Sequence, residues 1–213
     1  MNSNSFEKNP AGEILVWDIL VRIFHWSLVA AFTVAYLSGE DESRLHELIG
    51  YVVIGLVLFR IVWGFVGTKY ARFSDFVYQP ATVIGYAKDF LWGKTKRYLG
   101  HNPLGGMMVL ALLASLLATG ITGYLLQETK EGSVALTAPA STTNTVSFIS
   151  NAFADNDGDN EHEDGDEVLK EIHEFFANFT LLLVIVHIAG VIAGGLMHRE
   201  NLVRAMITGR KRA

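Results

Sequence analysis

Residues 173–197 read HEFFANFTLLLVIVHIAGVIAGGLM. A run this long and apolar is near the roughly 20 residues that a helix needs to cross the hydrocarbon core of a bilayer. Yet it opens on one histidine and carries a second, His187, fourteen residues later. Fourteen residues make nearly four helical turns and about 21 Å of rise, and fourteen steps of about 100° fall about 40° short of four full rotations. His173 and His187 therefore lie on one face of one helix at two depths. Ionisable groups at membrane depth must face a bundle interior, because lipid cannot solvate them, so this helix predicts neighbours.

Three earlier stretches supply them: residues 17–37, 48–66 and 104–126 join 175–197 as expected spans. Of the 213 residues 50% are hydrophobic and the mean hydropathy is +0.29, high for a soluble domain. The expected fold class is all-α, an integral membrane four-helix bundle over residues 17–198, between a tail of residues 1–16 and a basic tail of residues 199–213. The polar stretch before the first span lacks the basic n-region and small-residue cleavage pattern of a secretory signal, so that span is expected to be retained. The absence of cysteine excludes disulfides and thiolate-held iron–sulfur or zinc centres. Histidine, carboxylate or a lipid-soluble cofactor is left for any redox work. Nucleic-acid binding finds no support, since no basic patch joins a known reading motif.

The net charge of −5 matters less than its segregation. The first connection carries Glu40, Asp41 and Glu42 against Arg44, and the third carries an acidic run from Asp155 to Glu167. The second connection instead has Lys69, Arg72, Lys88, Lys94, Lys96 and Arg97, and the tail has Arg199, Arg204, Arg210, Lys211 and Arg212. The positive-inside rule then places both termini and the second connection in the cytoplasm. Within that second connection, aromatic and aliphatic residues interleaved with Asp75, Lys88 and Asp89 predict a cytoplasmic interfacial helix after Pro80. Residues 132–166 read as a mobile acidic external loop. Asp155, Asp157 and Asp159 have the alternate spacing of a calcium loop without completing its twelve-residue pattern, so a solvated loop is the better reading.

With the first span running inward to outward, His25 lies toward the cytoplasm and His46 opens the second span at the external side. On the fourth span His173 is external and His187 deeper. The depths match in pairs, His46 with His173 and His25 with His187. Each pair can clamp a haem iron from both faces, the two irons being separated by a distance on the scale of 21 Å. Taken singly, each histidine has a plainer reading as a hydrogen-bonded polar residue between helices; four matched depths favour the pairs.

Gly50 lies one turn beyond His46 and Gly190 three residues beyond His187, where a flat macrocycle could rest against bare backbone. Close helix packing through Gly190 and Gly194 is the other use, and the two are compatible. Arg60 follows His46 by fourteen residues, nearly in phase and beside the inner pair. It either meets a haem propionate or snorkels to the surface. Arg22, one turn before His25, has the same two readings, and Arg44 is placed for an outer propionate. His101, followed by Asn102-Pro103, stands before the third span as a helix cap or a residue near a quinone headgroup. Trp17, Trp26, Trp63 and Trp92 fall near span ends, as indole anchors do.

In order along the chain come Val16-Trp17-Asp18, Arg22-Ile23-Phe24-His25-Trp26, Arg44-Leu45-His46-Glu47-Leu48-Ile49-Gly50-Tyr51, Phe59-Arg60-Ile61-Val62-Trp63-Gly64, Gly100-His101-Asn102-Pro103-Leu104-Gly105, His173-Glu174 and His187. As an ordered set they resemble the prokaryotic cytochrome b561 family and the b-type cytochrome subunits that accompany nickel-iron hydrogenases. The resemblance implies a four-helix membrane cytochrome with two haem b groups, His25 paired with His187 and His46 with His173. It implies a multi-pass protein of the bacterial inner membrane that passes electrons between the quinone pool and a partner redox protein. Residues 132–166 have no counterpart in that pattern.

Two irons gripped on both faces offer no open position to a substrate, so the expected chemistry is outer-sphere electron transfer. Whether the chain acts alone or as the cytochrome subunit of a quinone-linked oxidoreductase stays open. Expected partners are quinone or quinol, membrane lipid, and an external redox protein such as a soluble cytochrome or a hydrogenase-like subunit, which the acidic loop would steer if the partner is basic. The alternative is a membrane transporter or metal-ion permease, its histidines serving as transient ligands or proton relays. A further one is a membrane anchor whose haem sites have decayed.

Overall fold

The computed structural model describes residues 12–39, 43–135 and 161–212. Its elements are strand β1 (Glu13–Leu15), helices α1 (Ile19–Leu37), α2 (Arg44–Val66), α3 (Pro80–Leu91), α4 (Pro103–Ala135), α5 (Glu161–His198) and α6 (Leu202–Thr208), and strand β2 (Arg210–Arg212). Four of the helices, α1, α2, α4 and α5, are long and apolar enough to span a membrane. The chain is thus an all-α, multi-pass membrane bundle with a two-stranded ribbon attached.

Local chemistry sets the helix starts. Asp18 caps α1 by accepting the Val21 N–H at 2.9 Å, Ser43 caps α2 through the His46 N–H at 3.3 Å, and Pro80 occupies the first turn of α3. Pro103 opens α4, and its cap is Asn102, whose Oδ1 accepts the Gly105 N–H at 2.7 Å. His101, expected either as a helix cap or near a quinone headgroup, does not do the capping. Both α4 and α5 extend beyond the expected apolar stretches, to Ala135 and back to Glu161. The centre of the expected acidic loop, with Asp155, Asp157 and Asp159, and the carboxylates Glu40, Asp41 and Glu42 lie outside the described residues.

The bundle core is a layer of Phe24, Ala31, Val53, Val57, Leu113 and Leu116. Large apolar side chains elsewhere on the spans, such as Phe65, Leu182 and Leu196, stand exposed on the outside, as lipid-facing surface must. Helix packing is closest between α4 and α5, α1 and α2, and α2 and α4. Between α4 and α5 the contact includes a hydrogen bond from Ser115 to Thr180.

At the basic end the segment before α1 meets the segment after α6. Strands β1 and β2 pair antiparallel with Glu13 opposite Arg212, Ile14 opposite Lys211 and Leu15 opposite Arg210. Gly209, at φ +79°, turns the chain from α6 into β2, and an added Cβ there would press on the Trp17 carbonyl at 2.5 Å. Beneath the ribbon, Val16, Trp17, Val21, Ala71 and Ala205 form a second core. Trp17 is therefore packed inside, while Trp26 and Trp92 are exposed, the latter at the end of α3 beside Leu91.

Candidate functional site

At the acidic end, the imidazoles of His46 in the first turn of α2 and His173 on α5 come close together. Their ring centroids are 6.0 Å apart and their planes cross at 87°. Each ring is oriented through Nδ1. That of His46 donates to the Ala35 carbonyl at 2.9 Å, and that of His173 to the Thr119 carbonyl at 3.0 Å, with the Thr122 hydroxyl 3.2 Å away. A nitrogen held against a carbonyl carries the ring proton, so in the neutral imidazole Nε2 keeps a free lone pair. Metal–imidazole bonds are about 2 Å long, so two rings gripping one metal through opposed Nε2 atoms stand about 6 Å apart by centroid. The observed spacing meets that requirement.

The helices that carry these histidines, α2 with α5 and α1 with α5, are not among the closely packed pairs. Near those histidines, a Cβ added at Gly50 or Gly190 would meet no atom within 4 Å. Open space beside imidazoles is what a planar ligand needs. Gly194, by contrast, faces Leu202 at 3.7 Å and serves the packing of α6 against α5. Among the described residues there is no cluster of three or more histidine, aspartate or glutamate side chains.

Toward the basic end, His25 on α1 and His187 on α5 lie within electrostatic range of each other. The His25 ring packs edge-on against Trp26 at 5.1 Å, and its Nδ1 is buried without a hydrogen-bond partner. Arg22 Nε, Arg60 Nη1 and His101 Nδ1 are further buried orphans on this side. Arg60 is only 3% exposed, its guanidinium lying 5.4 Å from the Phe73 ring and 5.8 Å from that of Phe76. It does not snorkel to the surface. Asp18 lies within electrostatic range of it, yet a buried cation with an unsatisfied N–H leaves room for a second, closer anion. Arg22 is partly satisfied by donating to the Ile207 carbonyl at 2.6 Å, while Arg44 is exposed two residues before His46.

His101 is sandwiched between Trp17 and Phe76, each with its ring centroid 4.6 Å away. Burial, reinforced by Arg60, Lys211 and His187, pushes its pKa down to about 3, so the ring is neutral. Nearby, Asp18 accepts from the Thr68 hydroxyl at 2.6 Å and the Trp63 indole at 3.3 Å. Burial alone would raise the Asp18 pKa, but those bonds and the one from Val21 outweigh it and hold the carboxyl below its ordinary value.

A sequence profile described as prokaryotic cytochrome b561 matches residues 16–209. The chain belongs to the prokaryotic cytochrome b561 family. As a member it is a membrane b-type cytochrome of electron transfer with b-type haem as its cofactor, the first of the readings that the residues left open. It is 23% identical over 229 aligned positions to a probable Ni/Fe-hydrogenase B-type cytochrome subunit of Rhodobacter capsulatus, covering 93% of this chain and 81% of that one. A protein of the same description from Rhizobium leguminosarum bv. viciae is 25% identical over 93% of this chain and 88% of its own. No solved structure matches the chain.

Sequence reasoning passed over the residues that aim the His173 ring: Thr119, Thr122 and Gly123. A Cβ at Gly123 would stand 2.9 Å from His173 Cε1, so glycine there is the condition for the ring's position. The run Thr119-Gly120-Ile121-Thr122-Gly123 carried a readable signal, because small and hydroxylated residues inside a span mark where helices approach.

Proposed function

We propose that this cytochrome carries electrons across the bacterial inner membrane between the quinone pool and an external redox partner through two bis-histidine haem b groups. His46 and His173 hold one near the acidic end, His25 and His187 the other near the basic end. The observation that carries the reading is the His46–His173 pair, ring centroids 6.0 Å apart with both Nδ1 atoms occupied, on helices that leave room between them. The basic end, with both termini, faces the cytoplasm, following the distribution of lysine and arginine.

When bound, the macrocycles supply reversible one-electron chemistry. The chain's own residues do the rest. Ala35, Thr119 and Thr122 fix the outer imidazoles and raise their basicity as ligands. Arg60 presents buried and Arg22 half-buried positive charge suited to propionates of the inner group, and Arg44 to the outer one. Gly50 and Gly190 leave backbone uncovered for the macrocycle faces. Exclusion of water keeps the dielectric low, so those fixed charges weigh heavily on potential. The external partner is a hydrogenase-like protein, in keeping with the names of both relatives.

The test is reduction of the haem by a quinol analogue in proteoliposomes. Reduction by quinol followed by reoxidation by a soluble acceptor on the opposite side supports the reading. Haem that stays inert to quinol removes the quinone link.

A further inference from the structure

At the basic end, outside the haem region, the turn after α5, helix α6 and strand β2 enclose a cleft of about 250 Å³. Its lining carries five cations, Arg199, Arg204, Arg210, Lys211 and Arg212, against the two carboxylates Glu13 and Glu200. Glu200 is already taken by Arg97, which binds it at 2.6 Å. The Arg199, Arg204 and Arg210 guanidiniums have no ion pair among the described residues. Lys211 is 9% exposed, held over the Trp17 ring at 5.6 Å, with no hydrogen bond to its ammonium among the described residues. Burial pulls its pKa below the ordinary lysine value, Glu200 and Arg97 acting in opposite directions. The like charges crowd a concave space that lacks enough anion.

Next to the cleft, Val203 and Ile207 project from α6 one turn apart and are 51% and 58% exposed. Helix α6 rests against the end of span α5 through Leu202 and Gly194. Exposed aliphatic side chains at a span end belong in acyl chains, and guanidiniums beside them belong at the headgroup level.

We infer that this cleft is a binding site for the phosphodiester of an anionic phospholipid, whose acyl chains lie along Val203 and Ile207. A free phosphate shares the charge but leaves that apolar rim without a role. The lipid would fasten the paired strands β1 and β2 over the inner side of the bundle. The inference rests on the membrane-spanning reading and not on the haem ligands.

The test uses the purified haem-loaded protein in nanodiscs of phosphatidylcholine doped with phosphatidylglycerol, with bound lipid counted by native mass spectrometry. Each basic group near an anionic surface is worth about a fivefold factor in binding. The variant Arg204→Gln/Arg210→Gln should therefore lower retention of phosphatidylglycerol by about tenfold or more, with the haem spectrum unchanged. Lys88→Gln, which removes an exposed cation elsewhere, should leave retention near the wild-type level. Wild-type protein that shows no preference for phosphatidylglycerol over phosphatidylcholine overturns the site, whether or not the variants fold. So does an equal loss in Lys88→Gln, which would mark general surface charge. Displacement of the lipid by millimolar inorganic phosphate would overturn the lipid assignment in favour of a free anion. An unchanged lipid result beside an absent haem signal would sink the cytochrome reading and spare this one.

Discussion

Ser115 on α4 and Thr180 on α5 share a buried 2.5 Å hydrogen bond, and Thr180 stands seven residues from His173 and seven from His187. The bond ties two spans together midway between the two histidine levels. Thr180 has no solvent exposure and also donates to the Phe176 carbonyl at 2.8 Å. Hydrogen bonds between membrane helices contribute about 0.6 kcal/mol on average and up to about 1.7 kcal/mol. Thr180→Val should therefore lower stability by about 1 kcal/mol in a reversible denaturation assay and leave every haem in place. Loss of one haem alone would mean that Thr180 serves a single site.

The Gly123 position gives a sharper probe of the outer pair. A methyl group there would stand 2.9 Å from the His173 ring, a distance that forces the imidazole to shift. Gly123→Ala should reduce occupancy or convert the spectrum of one haem from low spin toward high spin. The other haem should keep its spectrum. An unaltered absorption and electron paramagnetic resonance spectrum would detach His173 from iron.

Arg60 tests the basic end. Its buried charge should favour electron uptake at the nearer haem, so Arg60→Leu should lower that potential. The shift should be roughly one tenfold step in the equilibrium, about 60 mV for a one-electron couple. Redox titration should show the second haem nearly unmoved. Equal shifts in both would contradict a local partner.

The spans were legible because a bilayer leaves few ways to satisfy a backbone and demands long apolar runs. The histidines were legible because a polar group at depth must face inward, and fourteen-residue spacing keeps one face. The β1–β2 ribbon was not legible, since three-residue strands carry no usable periodicity. The burial of Trp17 was hidden for the same reason: it depends on a chain end nearly two hundred residues away, with Lys211 over its ring. The small and hydroxylated run from Thr119 to Gly123 marked a close helix approach, but that His173 is the ring it holds required α5 to be packed against α4. Arg60 was placed by phase, but its choice between solvent and interior required knowing that Phe73 and Phe76 close over it.

Asp18 supplies a pH dependence. An unfolded aspartate titrates near 3.9, and the folded carboxyl lies lower because its hydrogen bonds favour the charged form. Below about pH 4 the unfolded state binds more protons, so stability falls as pH drops through that window and is intact above it. Asp18→Ala should cost about 1 kcal/mol at neutral pH, as loss of a helix cap does, and should flatten the acid slope. Denaturation midpoints between pH 3 and 7 would show it, and an unchanged slope would deny Asp18 this part.

The central claim is that four histidines act as two cross-helix pairs. Redox-titrated optical spectroscopy, with haem-to-protein ratios for single alanine substitutions at His25, His46, His173 and His187, addresses it most directly. The account predicts two low-spin b-type haems in the wild type. It predicts that His46→Ala and His173→Ala abolish the same centre, while His25→Ala and His187→Ala abolish the other. One haem in the wild type, or losses that pair His46 with His187, would contradict it.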